Sequence, residues 1–128
     1  MTDLIKIGNC SGFYGDKLSA AKEMVEGGDL DVLTGDYLAE LTMTILFNQQ
    51  IQRGEDKGYV GTFLKQVKEI VHTCKNKDIK IVTNAGGLNP SSMANEIEKI
   101  LKEAKLDLKV AYITCLLYTS DAADEYSG

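Results

Sequence analysis

The alternation of two hydrophobic periodicities is the feature of this chain that most restricts its fold. Short apolar runs predict strands at 4–7, 30–33, 79–82 and 108–113, and amphipathic helical patterns lie between them. No hairpin signal such as Asn-Gly joins two of these runs. Strands that alternate with helices indicate a mainly parallel sheet, here in the order β-α-β-α-α-β-α-β. The sequence therefore predicts an α/β three-layer sandwich, with half of a β/α barrel as the alternative.

The helical patterns carry two local signals. Apolar residues recur with a 3.6-residue period over 60–74, which predicts a long helix with Cys74 in the core and His72, the only histidine, on the polar side. Asn89 followed by Pro90 predicts the start of the last helix, because an Asn N-cap and a Pro at the first helical position are both favourable there.

Composition excludes several classes of function. The net charge is -5 and no basic patch is present, so a nucleic-acid partner is not expected. No apolar run approaches the roughly 20 residues that span a bilayer, and no leader precedes the first strand, so a cytoplasmic location is expected. The three cysteines show no CxxC or histidine-partnered spacing, so neither a metal site nor a disulfide is expected. The residues do not specify a cofactor.

Three strand-to-helix loops are expected to form the site. Right-handed crossovers place such loops at one edge of a parallel sheet, so loops 8–16, 34–37 and 83–90 should line one crevice for a small-molecule metabolite. Asp16, Asp36 and Glu40 are the candidate catalytic groups, as acid/base or ligand-orienting carboxylates, although Asp16 and Asp36 fit equally well as helix N-caps. The candidate substrate-binding residues are Asn9, Ser11, Gly12, Tyr14, Gly15, Tyr37, Asn84, Gly86, Gly87 and Asn89.

Two further interpretations of these loops stay open. The segment 84–87 fits either an anion-binding cradle of backbone amides or a glycine-relaxed connection into the Asn89 cap. The first loop has the glycine spacing GxxxGxxG, which is neither the GxGxxG fingerprint nor a phosphate loop, yet Asp36 lies where a ribose-binding acid would follow. A nucleotide-binding, Rossmann-like domain is therefore an alternative. Cys10 has no histidine arranged to activate it as a nucleophile.

The last fourteen residues differ in character from the rest. The string CLLYTSDAADE at 115–125 looks like a translated sequencing adapter, so residues 115–128 are predicted to be an artefactual tail. Residues 1–114 are then the N-terminal part of one α/β domain, and the chain is expected to be a truncated fragment.

The three loops also carry a resemblance. The stretches IGNCSGFYGDKLSAAKEMVEGGDLDVLTGDYLAELTM and IVTNAGGLNP resemble the N-terminal domain of the acyclic terpene utilisation protein AtuA family over residues 4–114. The family stretches give weight to Gly8, Asn9, Ser11, Gly12, Tyr14, Gly15, Asp16, Thr34, Gly35, Asp36, Tyr37, Glu40, Asn84, Gly86, Gly87, Asn89 and Pro90. The family typically has Ala where this chain has Cys10, which argues further against a nucleophilic Cys10.

The resemblance implies a function in the breakdown of acyclic terpenoids of the citronellol and geraniol type. The leading hypothesis is an enzyme, or enzyme component, that acts on a small carbonyl or acyl metabolite in the predicted crevice. The alternative is a non-catalytic partner of an acyl-CoA carboxylase or another catabolic enzyme, which would require an exposed apolar patch.

Overall fold

The chain forms an α/β fold around a three-stranded parallel sheet. The structure is a computed structural model, and it describes residues 3–114. The elements follow in the order β1 (Ile7–Asn9), α1 (Ala20–Gly27), β2 (Val32–Gly35), α2 (Glu40–Arg53), α3 (Gly61–Lys77), β3 (Lys80–Thr83) and α4 (Pro90–Glu103). The predicted tail at 115–128, with Cys115, lies outside the described residues.

The sheet is open and has the strand order β1-β2-β3. Both strand pairs are parallel, and Gly8, Leu33 and Ile81 lie side by side across the sheet. This register confirms the predicted parallel pairing. Because each crossover joins neighbouring parallel strands, the loops that follow β1, β2 and β3 emerge at the same edge.

One face of the sheet is covered by helices. Leu33 from this face is fully buried with Ala21 and Val25 of α1 and with Ile70 and Cys74 of α3. Gly8 lies beneath α1, and a Cβ at this position would approach side-chain atoms of Met24 and Leu30 to within 3 Å. The small residue in β1 therefore permits α1 to pack closely on the strand.

The second face of the sheet is open among residues 3–114. Ile7 and Val82, which alternate with the buried positions, are 63% and 62% exposed. The arrangement is consistent with the predicted three-layer sandwich, of which the described residues form the sheet and one helical layer.

A second core cluster lies between α3, α4 and the loops after β2 and β3. It is built on Leu46, Val60, Phe63, Val67 and Leu101, all buried. Cys74 is buried and His72 is exposed, as the helical period predicts. No helix among the described residues is long and apolar enough to cross a membrane.

Several elements differ from the sequence-based expectations, and the strands predicted at 30–33 and 79–82 are formed by Val32–Gly35 and Lys80–Thr83. The first strand, predicted at 4–7, is formed by Ile7–Asn9, because only these residues pair with β2. The helix that Asp36 was expected to cap begins only at Glu40, since Tyr37 instead inserts its ring into the core. The predicted fourth strand at 108–113 is wrong for the described chain: no strand is formed there, although Leu106, Leu108 and Val110 pack against the core on alternate positions.

Candidate functional site

The three loops that the sequence predicted to converge do meet at the carboxyl edge of the sheet. The Cys10 N–H donates to the Thr34 carbonyl at 2.9 Å, and the Asp36 N–H donates to the Ser11 carbonyl at 3.0 Å. The Thr83 hydroxyl donates to the Gly35 carbonyl at 2.9 Å. Loops 8–16, 34–37 and 83–90, called the carboxyl edge below, are therefore joined by direct hydrogen bonds.

Asn84 links two of these loops through both atoms of its amide. Its Nδ2 donates to Asp36 Oδ1 at 2.8 Å, and its Oδ1 accepts from the Tyr37 N–H at 2.9 Å. Asp36 and Asn84 are both exposed at the surface. Asp36 Oδ2 has no hydrogen-bond partner among residues 3–114, so this oxygen is a free acceptor on an oriented carboxylate.

Asn9 lies beside this pair at the end of β1. Thr34 Oγ1 donates weakly towards Asn9 Oδ1 at 3.3 Å and towards the Gly8 carbonyl at 3.4 Å. The Asn9 side chain is exposed, and within the described range its Nδ2 donates to no protein acceptor. Thr34 was not among the candidate substrate-binding residues, although the family stretches gave weight to it. Its position at the end of β2, on the open face of the sheet, was the signal that would have identified it.

Asp16 closes its own loop. Its Oδ2 accepts from the Gly12 N–H at 2.9 Å and its Oδ1 accepts from the Lys17 N–H at 2.8 Å. These two bonds, that from Gly12 first, lower the pKa of the Asp16 carboxyl below its ordinary value of 3.8. Asp16 does not cap α1, which has Ser19 at its N-cap position. A carboxylate held in the charged form by backbone amides is poorly suited to donate a proton.

The predicted anion donors are directed into the protein. The buried Ser11 hydroxyl donates to the Phe13 carbonyl at 3.0 Å. The Ala85 amide donates to Thr83 Oγ1 and the Gly87 amide donates to the Asn84 carbonyl. The Leu88 amide donates to the Gly58 carbonyl. Two amides of the 84–87 segment, those of Ala85 and Gly87, are thus already used within the protein, which favours the glycine-relaxed connection over the anion-binding cradle.

The glycines of these loops have conformational roles. Gly87 has a φ of +57°, and Gly15 has a φ of +102°, both unfavourable for residues with a Cβ. A Cβ at Gly86 would lie 2.7 Å from the Pro90 Cβ. An added Cβ would meet nothing within 4 Å at Gly15, and at Gly12 its nearest atom would be Asp16 Oδ2 at 3.8 Å, so Gly12 is the one of the four that neither a positive φ nor a close contact requires to be glycine.

Asn89 is confirmed as the N-cap of α4. Its Oδ1 accepts from the Ser92 N–H at 3.2 Å, and Pro90 occupies the first turn. Its Nδ2 donates to the Glu55 and Lys57 carbonyls at 3.0 and 3.1 Å. The whole amide is therefore engaged in tying the 55–57 loop to α4.

Tyr14 and Glu40 lie at the margin of the carboxyl edge. The half-buried Tyr14 hydroxyl lies 3.5 Å from Gln49 Nε2 of α2. Glu40 is exposed in the first turn of α2 and makes no side-chain hydrogen bond to the described residues. The Glu40 carboxylate therefore stands apart from the Asp36–Asn84 pair.

Tyr37 belongs to the core. Its ring packs edge-to-face on Phe63 with centroids 5.7 Å apart, and its hydroxyl donates to Gln66 Oε1 at 2.6 Å. Burial is the main reason that the pKa of the Tyr37 hydroxyl is raised. Asp36 likewise does not cap α2, whose N-cap position is Ala39. Tyr37 thus contributes its backbone amide, and not its side chain, to the carboxyl edge.

Cys10 is also a buried residue. Its Sγ lies 3.9 Å from the Tyr37 hydroxyl, and desolvation raises the pKa of the thiol. A raised pKa lowers the thiolate fraction at neutral pH, which disfavours nucleophilic attack. No group of three or more His, Cys, Asp or Glu side chains suited to a metal ion occurs in residues 3–114.

Two clefts lie away from the carboxyl edge. One, of about 670 Å³, is lined by the 56–59 segment and α4, and the other, of about 450 Å³, is lined by residues 26–30 and Lys77. Neither contains Asp36 or Asn84. The carboxyl edge is an exposed polar surface and not the wall of either cleft.

The geometry of the first loop does not fit a dinucleotide-binding turn. In that motif a glycine-rich turn leads directly from a strand into a helix N-terminus, where the pyrophosphate binds. Here residues 10–19 separate β1 from α1, and Gly8 serves helix packing within the strand. Asp36, in the position of the ribose-binding acid, is hydrogen-bonded by Asn84.

Comparison with protein families gave a match over nearly the whole chain. The model of the acyclic terpene utilisation family protein AtuA matches residues 5–125. This range includes much of the predicted tail, whose assignment to an adapter stays a prediction. Comparisons with curated proteins and with solved structures gave no match. On the family match, this chain belongs to the AtuA family of acyclic terpene utilisation proteins.

Proposed function

We propose that the carboxyl edge binds the carbonyl or acyl group of a small metabolite of the citronellol or geraniol type in the cytoplasm. The AtuA family is involved in acyclic terpene utilisation. The observation that carries the proposal is the Asn84 bridge, which orients the Asp36 carboxylate and leaves Asp36 Oδ2 without a protein partner in the described chain. Asn9 presents a free amide donor on the neighbouring strand end.

This arrangement suits the recognition of a carbonyl, carboxyl or alcohol group. A carboxylate that is held through one oxygen can accept a proton or a hydrogen bond through the other. The Asn9 amide can donate to a carbonyl oxygen. Asp36 is therefore the proposed acid/base or orienting residue, and Asn84 is the residue that positions it. Asp16 and Glu40 have weaker support, since Asp16 is fully engaged in its loop and Glu40 stands apart.

Binding of defined probes to the isotopically labelled chain tests the proposal. Citronellal, citronellic acid and geraniol are titrated while the side-chain amide signals of Asn9 and Asn84 are followed by NMR. We expect saturable shifts of both signals for at least one probe. Asp36→Asn should weaken that binding at least tenfold, because an amide replaces the carboxylate acceptor.

Asp107→Asn is the matched control, since Asp107 is an exposed acid after α4, away from this edge. The control should bind like the unsubstituted chain. Unchanged Asn9 and Asn84 signals with all three probes, or equal affinity in Asp36→Asn, would contradict the proposal.

A second function is favoured by the surface of α2. Only Thr42 and Leu46 of this helix are buried, whereas Leu41, Phe47 and Ile51 are more than half exposed. Large apolar side chains exposed along one helix favour a protein interaction site. The second candidate is therefore a non-catalytic partner that docks a catabolic enzyme, such as an acyl-CoA carboxylase, through α2.

Affinity for the purified companion carboxylase, measured by calorimetry, separates the two functions. Docking through α2 predicts that Phe47→Ser weakens the complex at least tenfold, while Lys65→Ser on the exposed side of α3 leaves it unchanged. No heat of binding, or the same affinity for both variants, would rule out this candidate.

A further inference from the structure

A buried polar side chain lies beneath the carboxyl edge. Gln66 of α3 is 1% exposed and is surrounded by the apolar positions Phe63, Val67 and Ile70 of the same helix. Burying an amide is unfavourable unless its polar atoms are hydrogen-bonded. A glutamine at this position therefore requires partners, and the structure supplies them from elsewhere in the chain.

Both ends of the Gln66 amide are used. Its Oε1 accepts from the Tyr37 hydroxyl at 2.6 Å, and its Nε2 donates to the Leu18 carbonyl at 3.1 Å. The Tyr37 hydroxyl also contacts Cys10 Sγ at 3.9 Å. Gln66 thus joins α3 to the loop after β2 and to the segment that leads into α1. Through its contact with Cys10, Tyr37 connects the loop after β1 to the same group of residues.

The same tyrosine is bonded to the proposed binding residues. While its hydroxyl is held by Gln66, its backbone N–H donates to Asn84 Oδ1, and Asn84 Nδ2 donates to Asp36. The Tyr37 ring lies against its own strand end, where a Cβ on Gly35 would approach the ring to 2.6 Å. A continuous series of hydrogen bonds therefore runs from the core to the exposed carboxylate.

We infer that Gln66 is a positioning residue for the carboxyl edge: by holding the Tyr37 hydroxyl, it places the Tyr37 amide on Asn84 and so sets the orientation of Asp36. This inference rests on the proposed function in taking Asp36 as the binding group. The hydrogen-bonded series itself does not depend on the ligand. Loss of Gln66 leaves the buried Tyr37 hydroxyl with only its 3.9 Å contact to Cys10 Sγ, so we expect the tyrosine to move and its amide to leave Asn84.

Hydrogen exchange of the Tyr37 backbone amide tests the positioning role without any ligand. The measured quantity is the protection of this amide relative to the most protected amides of α3, which report global unfolding. In Gln66→Leu we expect the relative protection at residue 37 to fall at least tenfold. Val71→Ala, a core truncation outside the series, is the matched control and should lower both protections together. Unchanged relative protection in Gln66→Leu would overturn the inference.

Tyr37→Phe provides a second variant that keeps the ring packed on Phe63. If Gln66→Leu does not fold, Tyr37→Phe is expected to show the same relative loss at residue 37, because the hydroxyl anchor is absent. Retained protection in Tyr37→Phe would equally overturn the positioning role. The double variant should restore part of the stability, since replacing both partners removes the unpaired buried groups.

Binding of the probe that gives the largest shifts of Asn9 and Asn84 connects this test to the site. Gln66→Leu should weaken its affinity at least threefold more than Val71→Ala. If the unsubstituted chain binds no probe, the proposed function fails while the exchange result still decides the role of Gln66. If the probe binds and relative protection at residue 37 does not change, the positioning role fails alone.

Discussion

Substitution of Asn89 separates two stabilising contributions of a single side chain. Asn89 Oδ1 caps α4 through the Ser92 N–H, and Nδ2 donates to the Glu55 and Lys57 carbonyls. Asn89→Ala removes the cap and both donors. Asn89→Ser keeps an oxygen that can cap the helix, but its hydroxyl is too short to reach the carbonyls of the 55–57 loop.

The magnitudes follow from the three hydrogen bonds. Loss of an N-cap costs about 1 kcal/mol. The donor bonds, of which that to Glu55 is exposed and that to Lys57 is half-buried, each contribute on the order of 0.5–1 kcal/mol. We therefore expect Asn89→Ala to lower the free energy of unfolding by about 2–3 kcal/mol, and Asn89→Ser by about 1–2 kcal/mol. The difference of about 1 kcal/mol between the two variants is the contribution of the cap.

Urea unfolding monitored by circular dichroism measures these differences. The unfolding slope should be the same in both variants, so that changes in midpoint report stability. Equal destabilisation by Ala and Ser would show that the cap contributes nothing. Two variants that both unfold within 0.5 kcal/mol of the original chain, roughly the effect of an ordinary surface substitution, would refute the assignment of all three bonds.

Three further predictions follow from the same structure. The Gly12 and Lys17 amides lower the pKa of Asp16, so the stability that Asp16 contributes is present above its unfolded pKa of 3.8 and is lost as the pH falls through the lower folded pKa. Urea unfolding of Asp16→Asn should therefore depend less on acid pH than that of the unsubstituted chain. An unchanged dependence would contradict this prediction. Burial raises the pKa of the Cys10 thiol and raises that of Cys74 to about 11. In a Cys115→Ser background, a thiol reagent at pH 8 should therefore label neither cysteine before the chain unfolds. Rapid labelling of Cys10 in the native state would refute the burial argument. Gly87→Ala should lower the free energy of unfolding in urea by about 1–2 kcal/mol or more, because φ is +57° and the added Cβ would lie 2.8 Å from the Gly58 carbonyl. Gly27→Ala is the control and should be neutral or slightly stabilising, because no atom lies within 4 Å of the added Cβ. Equal effects of the two substitutions would be inconsistent with strain at Gly87.

Local sequence patterns predicted the architecture and the convergence of the three strand-to-helix loops. The 3.6-residue period of apolar residues over 60–74 indicates which side of the helix is buried. It correctly predicted that Cys74 lies in the core and that His72 is exposed to solvent. The Asn89-Pro90 pair predicted the start of α4, because capping involves residues that are adjacent in the chain. Convergence of the loops followed from the parallel sheet alone, since the carboxyl ends of its strands share an edge.

The hydrogen-bond partners of the polar residues were beyond local patterns. Sequence alone could not distinguish an outward Asp36 from an Asp16 engaged by its own loop, since both are acids at strand-to-helix loops. The strand predicted at 108–113 was wrong for a related reason: the alternation of apolar residues there reports packing on the core, whereas strand formation requires a pairing partner that the local pattern does not reveal.

The sequence by itself determined the α/β class, the parallel order and the family, because periodicity, turn signals and long motifs are properties of neighbouring residues. Only the tertiary structure decided that the Asn84 amide donates to Asp36 and that Gln66 accepts from the Tyr37 hydroxyl, because these partners lie 48 and 29 positions apart in the chain. The physical reason is that a polar side chain takes whichever partner the packed fold brings within hydrogen-bond distance, and packing joins segments that no local pattern relates.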